Sequence, residues 1–457
     1  MCINGVNVNS FCSFLTKKYV DFEKVVYSKG ELIMMSKEKS KRKMCMENRG
    51  ITLITLVITI IVLLILAGVT ISALSGDNGI LRKAAEAKEK TNKANKEELN
   101  ILDEYERNLN QYVDGKDVDL KNVNKSDTDP TEAMPENVRV LESDANKGIV
   151  IKDKNNNEWV WVEVPKTTVF ADLTIDTTKE LTDQNYTDIK NKLINYATTY
   201  REGALDQGRY WTDEWYKGCG LTSNEYTVVY QKMLKNVYTY GGFWIGRYEA
   251  GIEGSIDDVA KARTSHSTIT IGASPKAISQ KDAIPYNYIY CTEAQALAKE
   301  MAPNSSYISS LMFGIQWDLV CKFLEVKGGL ATLDINSDSS AWGNYSNAEL
   351  TITSEKAKQQ GTPWTVITEK KPVNKNILLT TGASEGINKM NIYDFAGNEW
   401  EWTLEKSSDN NNTCVSRGGT YYNTGSNNPS SVRDYSGTTG SGNNIGFRPT
   451  LYVDLKI

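Results

Sequence analysis

The sequence predicts an α+β domain of about 320 residues carried behind one long N-terminal helix. Three observations support this. A run without a single charge, Ile51 to Leu74, stands apart from everything that follows it. Beyond Val138, short strand-like runs are mixed with two helix-like segments and much irregular sequence. Finally, 40% apolar and 24% charged residues in a 457-residue chain are enough to bury a core. Charge narrows the function classes. Lys plus Arg number 52 against 57 Asp plus Glu, a net charge of −5, whereas nucleic-acid binders carry a basic excess. The single histidine, His266, excludes a multi-histidine metal centre. The 24 Tyr and 10 Trp against 9 Phe favour rings with a polar handle.

The 24 residues from Ile51 to Leu74 reach ~36 Å as a helix, against ~30 Å of bilayer hydrocarbon. A secretory signal core is shorter, ~7–15 residues. Lys37, Lys39, Lys41, Arg42, Lys43 and Arg49 precede the run and hold that end in the cytoplasm, so the remainder faces outward. The plain reading is a single-pass membrane anchor. The junction Asn48-Arg49-Gly50 followed by Ile51-Thr52-Leu53-Ile54 also resembles the processing motif of type IV prepilins and pseudopilins. That resemblance implies cleavage after Gly50 by a prepilin peptidase, methylation of Ile51 and association with other pilin subunits. Thr55 stands where the family carries a glutamate that pairs with a neighbouring subunit, which counts against entry into a filament. Residues 1–50 are long for such a leader. Starts at Met35 or Met46 give a shorter one, and Cys2, Cys12 and Cys45 then have no structural role.

After the break Gly76-Asp77-Asn78-Gly79, the apolar positions Leu81, Ala84, Ala85, Leu102, Tyr105, Leu109 and Tyr112 keep a 3–4 spacing. Glu86/Lys90, Glu89/Lys93 and Asp103/Arg107 are i,i+4 pairs on the same helix. Residues 51–112 are thus expected as a pilin-like transmembrane and amphipathic helix, although a solvated stalk or short coiled coil fits the second half equally. Residues 113–137, polar and carrying Pro130 and Pro135, are expected as a linker. Residues 138–457 form the globular domain. Its expected strands are Gly148–Lys152, Trp159–Val164, Val228–Tyr230, Phe243–Tyr248 and Ile445–Val453, and its expected helices Thr292–Met301 and Phe313–Val326.

Three motifs stand out in this domain: Ile392-Tyr393-Asp394-Phe395-Ala396-Gly397-Asn398-Glu399-Trp400-Glu401-Trp402-Thr403, then Arg417-Gly418-Gly419-Thr420, then Ile445-Gly446-Phe447-Arg448. On a strand, Trp400 and Trp402 share one face and Glu399 and Glu401 the other. Arg417 and Arg448 suit bidentate clamping of carboxylates such as Asp394. Gly397 and Gly418-Gly419 suit positive φ or close backbone approach.

In order and spacing these motifs resemble the formylglycine-generating enzyme, or sulfatase-modifying factor, family, a variant of the C-type lectin fold. Gly242-Phe243-Trp244-Ile245-Gly246-Arg247-Tyr248-Glu249 and Phe313-Gly314-Ile315-Gln316-Trp317-Asp318-Leu319-Val320 resemble two further segments of it. The resemblance implies calcium at Gly397, Glu399 and Glu401, a hard cation on oxygen donors. It also implies where catalysis would sit, because the family's oxidases hold two copper-binding cysteines just after the Arg-Gly-Gly motif. Here Thr420 to Arg433 contains no cysteine, and Cys414 precedes the motif alone. Copper is therefore not expected; related iron-dependent sulfoxide synthases use a histidine cluster that His266 alone cannot supply, so neither iron nor enzyme activity is expected. Cys219, Cys291, Cys321 and Cys414 allow three disulfide pairings or four reduced thiols.

Of the 25 residues from Thr420 to Asn444, 21 are Tyr, Asn, Ser, Thr or Gly, the composition of antibody combining loops. The segment also resembles the variable region of proteins diversified by retroelements, whose mutagenised positions lie between similar landmarks; an ordinary polar surface loop fits as well. The candidate contact residues are Tyr421, Tyr422, Asn423, Ser426, Asn427, Asn428, Ser430, Asp434, Tyr435, Asn443 and Asn444. The expected function is a cell-surface adhesin or receptor-like protein that grips an extracellular protein or glycan, with no nucleic-acid partner. A minor pseudopilin with a purely structural role is the alternative, and an oxidase of the formylglycine-generating type the remaining one.

Overall fold

The computed structural model describes residues 57–65, 83, 87–91, 93, 112–113, 118–201 and 209–457. The chain separates into two compact units, Met1–Lys96 and Glu97–Ile457. In the first, residues 57–65 and 87–91 are helical. Among the described residues no helix is long and apolar enough to cross a membrane. Gly50, Ile51 and most of the apolar run lie outside them.

The second unit is built on two sheets. The larger has seven strands, in the order Tyr112–Val113, Val138–Glu142, Val150–Lys152, Glu158–Glu163, Gly242–Gly246, Pro449–Val453, Tyr307–Leu311. All its pairings are antiparallel. The alternation expected at Trp159–Val164 is present, but both faces are covered, and Trp159, Val160, Trp161 and Val162 are all buried. Trp161 lies opposite Trp244 in register, with ring centroids 5.0 Å apart in an edge-to-face arrangement that suits the ring quadrupoles. The last strand of the chain is inserted between two earlier ones, so the C-terminus closes the sheet from within.

The smaller sheet places Arg433–Ser436, Cys414–Arg417, Trp400–Ser407 and Ile445–Phe447 side by side, with Trp211–Thr212 pairing the end of the Trp400–Ser407 strand. The expected Ile445–Val453 strand is therefore two strands, one in each sheet, divided at Arg448.

Two helices fall where expected, Cys291–Lys299 and Gly314–Val326. Two others, Asp183–Tyr196 and Ser223–Tyr240, were not expected. The second overturns the strand reading of Val228–Tyr230. Thr222 and Glu225 form a reciprocal capping box, and buried Tyr226, Met233, Leu234 and Val237 recur at helical spacing. Gly241, at φ 69°, ends the helix in the left-handed conformation. The stretch 118–137, expected as linker, packs into the domain: Thr128, Ala133 and Met134 are buried, and Trp244 Nε1 donates to Ala133 O at 2.9 Å.

Candidate functional site

The three sequence motifs become strand neighbours. Trp400, Glu401 and Trp402 pair in parallel with Ile445, Gly446 and Phe447, while Glu401 and Trp402 lie opposite Arg417 and Ser416. The segment 420–444 leaves this sheet at Gly418-Gly419, both at positive φ, and returns to it through Arg433–Ser436. An added Cβ on Gly419 would strike the carbonyl of Asn428, so the double glycine lets the loop fold back on its own root.

The faces of the Trp400–Ser407 strand differ from expectation, because Glu399 and Glu401 are as buried as Trp402. Arg448 grips Glu401 in a fork, Nη2–Oε1 2.7 Å and Nε–Oε2 3.1 Å, and also donates to Gly246 O and Tyr393 O. Asp394 is not clamped by either expected arginine; its Oδ2 accepts from Gly382 N at 2.8 Å. Asn287 donates to Glu399 Oε1 at 2.9 Å and Asn398 donates to Glu249 Oε1, while the second oxygen of each glutamate has no partner. Burial pushes all four carboxyls above their ordinary range, Asp394 to about 7, against the opposing charge of Arg448 and, at Asp394, of Lys281.

Of the residues expected at calcium, Glu399 keeps one buried oxygen, Oε2, without a partner, while Glu401 is fully engaged. Both Glu401 oxygens are taken by Arg448, and among the described residues no group of three or more His, Cys, Asp or Glu is placed to hold a metal ion. Gly397, the third expected ligand, forms a positive-φ turn whose N–H donates to Gly418 O at 2.8 Å.

A second ionic cluster anchors the loop. Arg417 pairs with Asp318 (2.7 Å) and Glu405 (3.2 Å), and Arg433 with the same two carboxylates (2.8 and 2.9 Å). Arg201 adds Asp213 at 2.6 Å and Asp318 at 3.1 Å. Burial alone would raise Asp318, but Arg433, Arg417 and Arg201 hold it below its ordinary value. Arg433 thus ties the middle of the polar segment to the core.

The candidate contact residues divide accordingly. Tyr421 and Ser430 are interior and are not contact residues. The Tyr421 hydroxyl donates to Gln360 Oε1 at 3.2 Å, and Ser430 bonds Ser339 and Ile335 while its carbonyl accepts from Trp317 Nε1. Tyr422 is 46% exposed, with its ring 4.3 Å from that of Tyr421 and its hydroxyl accepting from Asn443 Nδ2. Ser426, Asn427 and Asp434 are exposed; Asn423, Asn428, Tyr435, Asn443 and Asn444 are half-buried. Tyr435 lies apart from Tyr422's patch, packed against Trp211 and beneath Arg209.

Beside Tyr421 opens a groove of about 710 Å³ between residues 259–264 and 360–364, whose lining includes Arg263, Tyr288 and Trp364. Sequence reasoning missed it, because its walls come from three distant segments. The loop reaches it through Gln360, and through Tyr288, whose N–H donates to Gly442 O at 2.8 Å. The four described cysteines are buried free thiols, and the Tyr216 hydroxyl lies 3.4 Å from Cys291 Sγ.

A sheet of adjoining Asn-Glu-Trp-Glu-Trp, Arg-Gly-Gly and Gly-Phe-Arg strands, stabilised by buried arginine–carboxylate pairs, defines the class. Residues 124–451 match the sulfatase-modifying factor enzyme 1-like domain, and the chain belongs to that family. No curated protein sequence matches it. Among solved structures, CarF shares 13% identity at a TM-score of 0.29, covering 46% of this chain and 86% of its own. Treponema denticola variable protein 1 shares 14% at 0.25, covering 46% and 84%. The U1 variant of the major tropism determinant shares 16% at 0.23, covering 47% and 51%.

Proposed function

We propose that this is a membrane-anchored surface protein displaying a non-catalytic ligand-binding domain, whose Tyr/Asn/Ser-rich segment 420–444 supplies the contact surface. One observation carries the reading. Where the family's oxidases hold paired cysteines, this chain has Tyr421 to Asn428 without a thiol, and the structure turns Tyr422, Ser426 and Asn427 to the surface. A surface of exposed hydroxyls, amides and one open ring is equipped to grip and lacks a nucleophile or redox centre. Burial of Tyr421, Ser430 and Arg433 supports a loop whose scaffold is fixed while its outer side chains are free to change, as retroelement diversification would require. Anchoring by Ile51–Leu74, cleavage after Gly50 and division into leader 1–50, helix 51–112, linker 113–137 and domain 138–457 belong to the same proposal, with residues 118–137 attached to the domain.

The test is the full chain in detergent micelles, applied to glycan and protein arrays. A specific signal reduced by Tyr422→Ala combined with Asn427→Ala is expected, and silence on both arrays favours the structural pseudopilin. Oxidation of a cysteine-containing substrate peptide with copper present would overturn the non-catalytic reading. Mass spectrometry of the mature N-terminus is expected to begin at methylated Ile51; an intact leader removes the pilin part.

A further inference from the structure

The groove beside Tyr421 contains a guanidinium without a counter-charge. Arg263 lines it and is half-buried. Its Nη2 donates to two main-chain carbonyls, Ser267 O at 2.8 Å and Tyr288 O at 2.9 Å, and its Nε is buried without a partner. No carboxylate among the described residues pairs with it. The acids on the neighbouring elements are engaged elsewhere: Asp258 by the Ala260 N–H at 2.9 Å, and Glu293 by His266 and the N–H groups of Ile269 and Tyr290. The guanidinium also lies over the Tyr286 ring, 5.7 Å from its centroid, so it is fixed by carbonyls and a ring face, and its charge remains free to take an anion from a ligand.

The rest of the lining specifies what carries that anion. Tyr421 occupies Gln360 Oε1, which leaves the Gln360 amide nitrogen as a donor, and Thr362 adds a hydroxyl. Val259, Tyr288 and Trp364 add apolar and aromatic surface to the same lining. Peptides bind by adding to an open strand edge or by filling side-chain pockets. Here the walls are the short 3-10 turn Val259–Lys261 and the loop joining the paired strands Lys358–Gln359 and Thr365–Val366, neither of which offers such an edge. A pyranose ring, apolar on its faces and hydroxylated at its rim, matches the lining. The volume falls within the ~300–1,000 Å³ usual for small-molecule sites.

We infer that the groove formed by Arg263, Tyr288, Gln360 and Trp364 binds a carboxylate-bearing sugar, with Arg263 taking the carboxylate. The inference rests on the ligand-binding reading above and names the class of ligand. The test is calorimetric titration of the full chain in detergent with methyl glucuronide, methyl glucoside and acetate. Methyl glucuronide is expected to bind, methyl glucoside about tenfold or more weakly, and acetate not to compete at equal concentration. Arg263→Gln is expected to lose about tenfold in affinity for the glucuronide, and Arg263→Lys less, since the positive charge stays while the Nη1 donor is replaced by a flexible ammonium. Unchanged near-UV dichroism shows that both variants are folded. Equal binding of glucoside, full competition by acetate, or wild-type affinity in Arg263→Gln would overturn the inference. A chain that binds on the arrays but ignores glucuronide overturns this inference alone; one that binds nothing anywhere overturns the reading beneath it.

Discussion

Asp318 and Asp394 are both carboxyls buried in the same domain, yet their surroundings drive them in opposite directions. Asp318 faces three guanidiniums and accepts from Arg417 and Arg433 at 2.7–2.8 Å. Asp394 has one backbone N–H, shares Arg448 with Glu249 and Glu401, and feels the more distant Lys281. Burial raises both groups, and only the density of opposite charge decides whether ionisation survives. The first cluster is a charge-matched rivet that ties Arg433, in the middle of the polar segment, to the helix Gly314–Val326 and the strand Trp400–Ser407. The second is an acid-rich knot under the loop's root, where burial raises every carboxyl and Arg448 pairs with Glu401. The domain therefore holds segment 420–444 by an ionic anchor at its middle, with a proton-sensitive cluster beneath its root.

The largest effect that would break this comparison is removal of the rivet. Arg433→Leu leaves Asp318 and Glu405 short of one partner inside the core and is expected to cost ~3–5 kcal/mol, measured by denaturant unfolding. A loss below ~1 kcal/mol would show that Arg201 and Arg417 suffice and that the segment is not anchored there.

The next effect is the pH response. Asp394 is raised by burial to about 7, so the folded state holds a proton that the unfolded chain releases near 3.8. Its contribution is complete below pH ~3.8 and is lost as the pH climbs through about 7. Asp318 is lowered, so its contribution is complete above its unfolded value and is lost as the pH falls through its folded one. Asp394→Asn is expected to flatten the fall in stability between pH 4 and 7 by up to ~1.4 kcal/mol per pH unit, leaving the acid limb untouched. An unchanged slope in thermal melts across that window would mean that Asp394 is ionised in the fold.

The sequence made the paired motifs visible but not their partners. Trp400, Trp402, Arg417 and Arg448 lie in short, distinctive strings, and the helices Cys291–Lys299 and Gly314–Val326 follow from apolar periodicity. Arg448's partner was misread because Asp394 lies in the same motif as Glu401, and only the register against Gly446 decides between them. Arg433 has no local mark of burial: one arginine in a polar loop reads as solvated until the sheet places it over Asp318. Val228-Val229-Tyr230 read as a strand because β-branched and aromatic residues favour one, while the Thr222 and Glu225 cap six and three residues upstream commits the segment to helix. The groove was invisible for a simpler reason. Arg263, Tyr288 and Gln360 meet only through long-range folding.

The smallest effects separate two adjacent tyrosines that the sequence cannot tell apart. Tyr421 is 1% exposed and donates its hydroxyl to Gln360, whereas Tyr422 is 46% exposed. Tyr421→Phe removes one hydrogen bond at the groove's edge and is expected to cost about 1 kcal/mol of stability. Tyr422→Ala removes a ring already facing solvent, so its stability change is expected to stay within ~0.5 kcal/mol while ligand affinity falls. The pair separates scaffold from contact surface because the two side chains share chemistry and position and differ only in burial. If Tyr422→Ala destabilised the fold as much as Tyr421→Phe in the same denaturation assay, its contact with Tyr421 and Asn443 would be holding the loop together, and the contact surface would have to lie elsewhere, at Ser426 and Asn427.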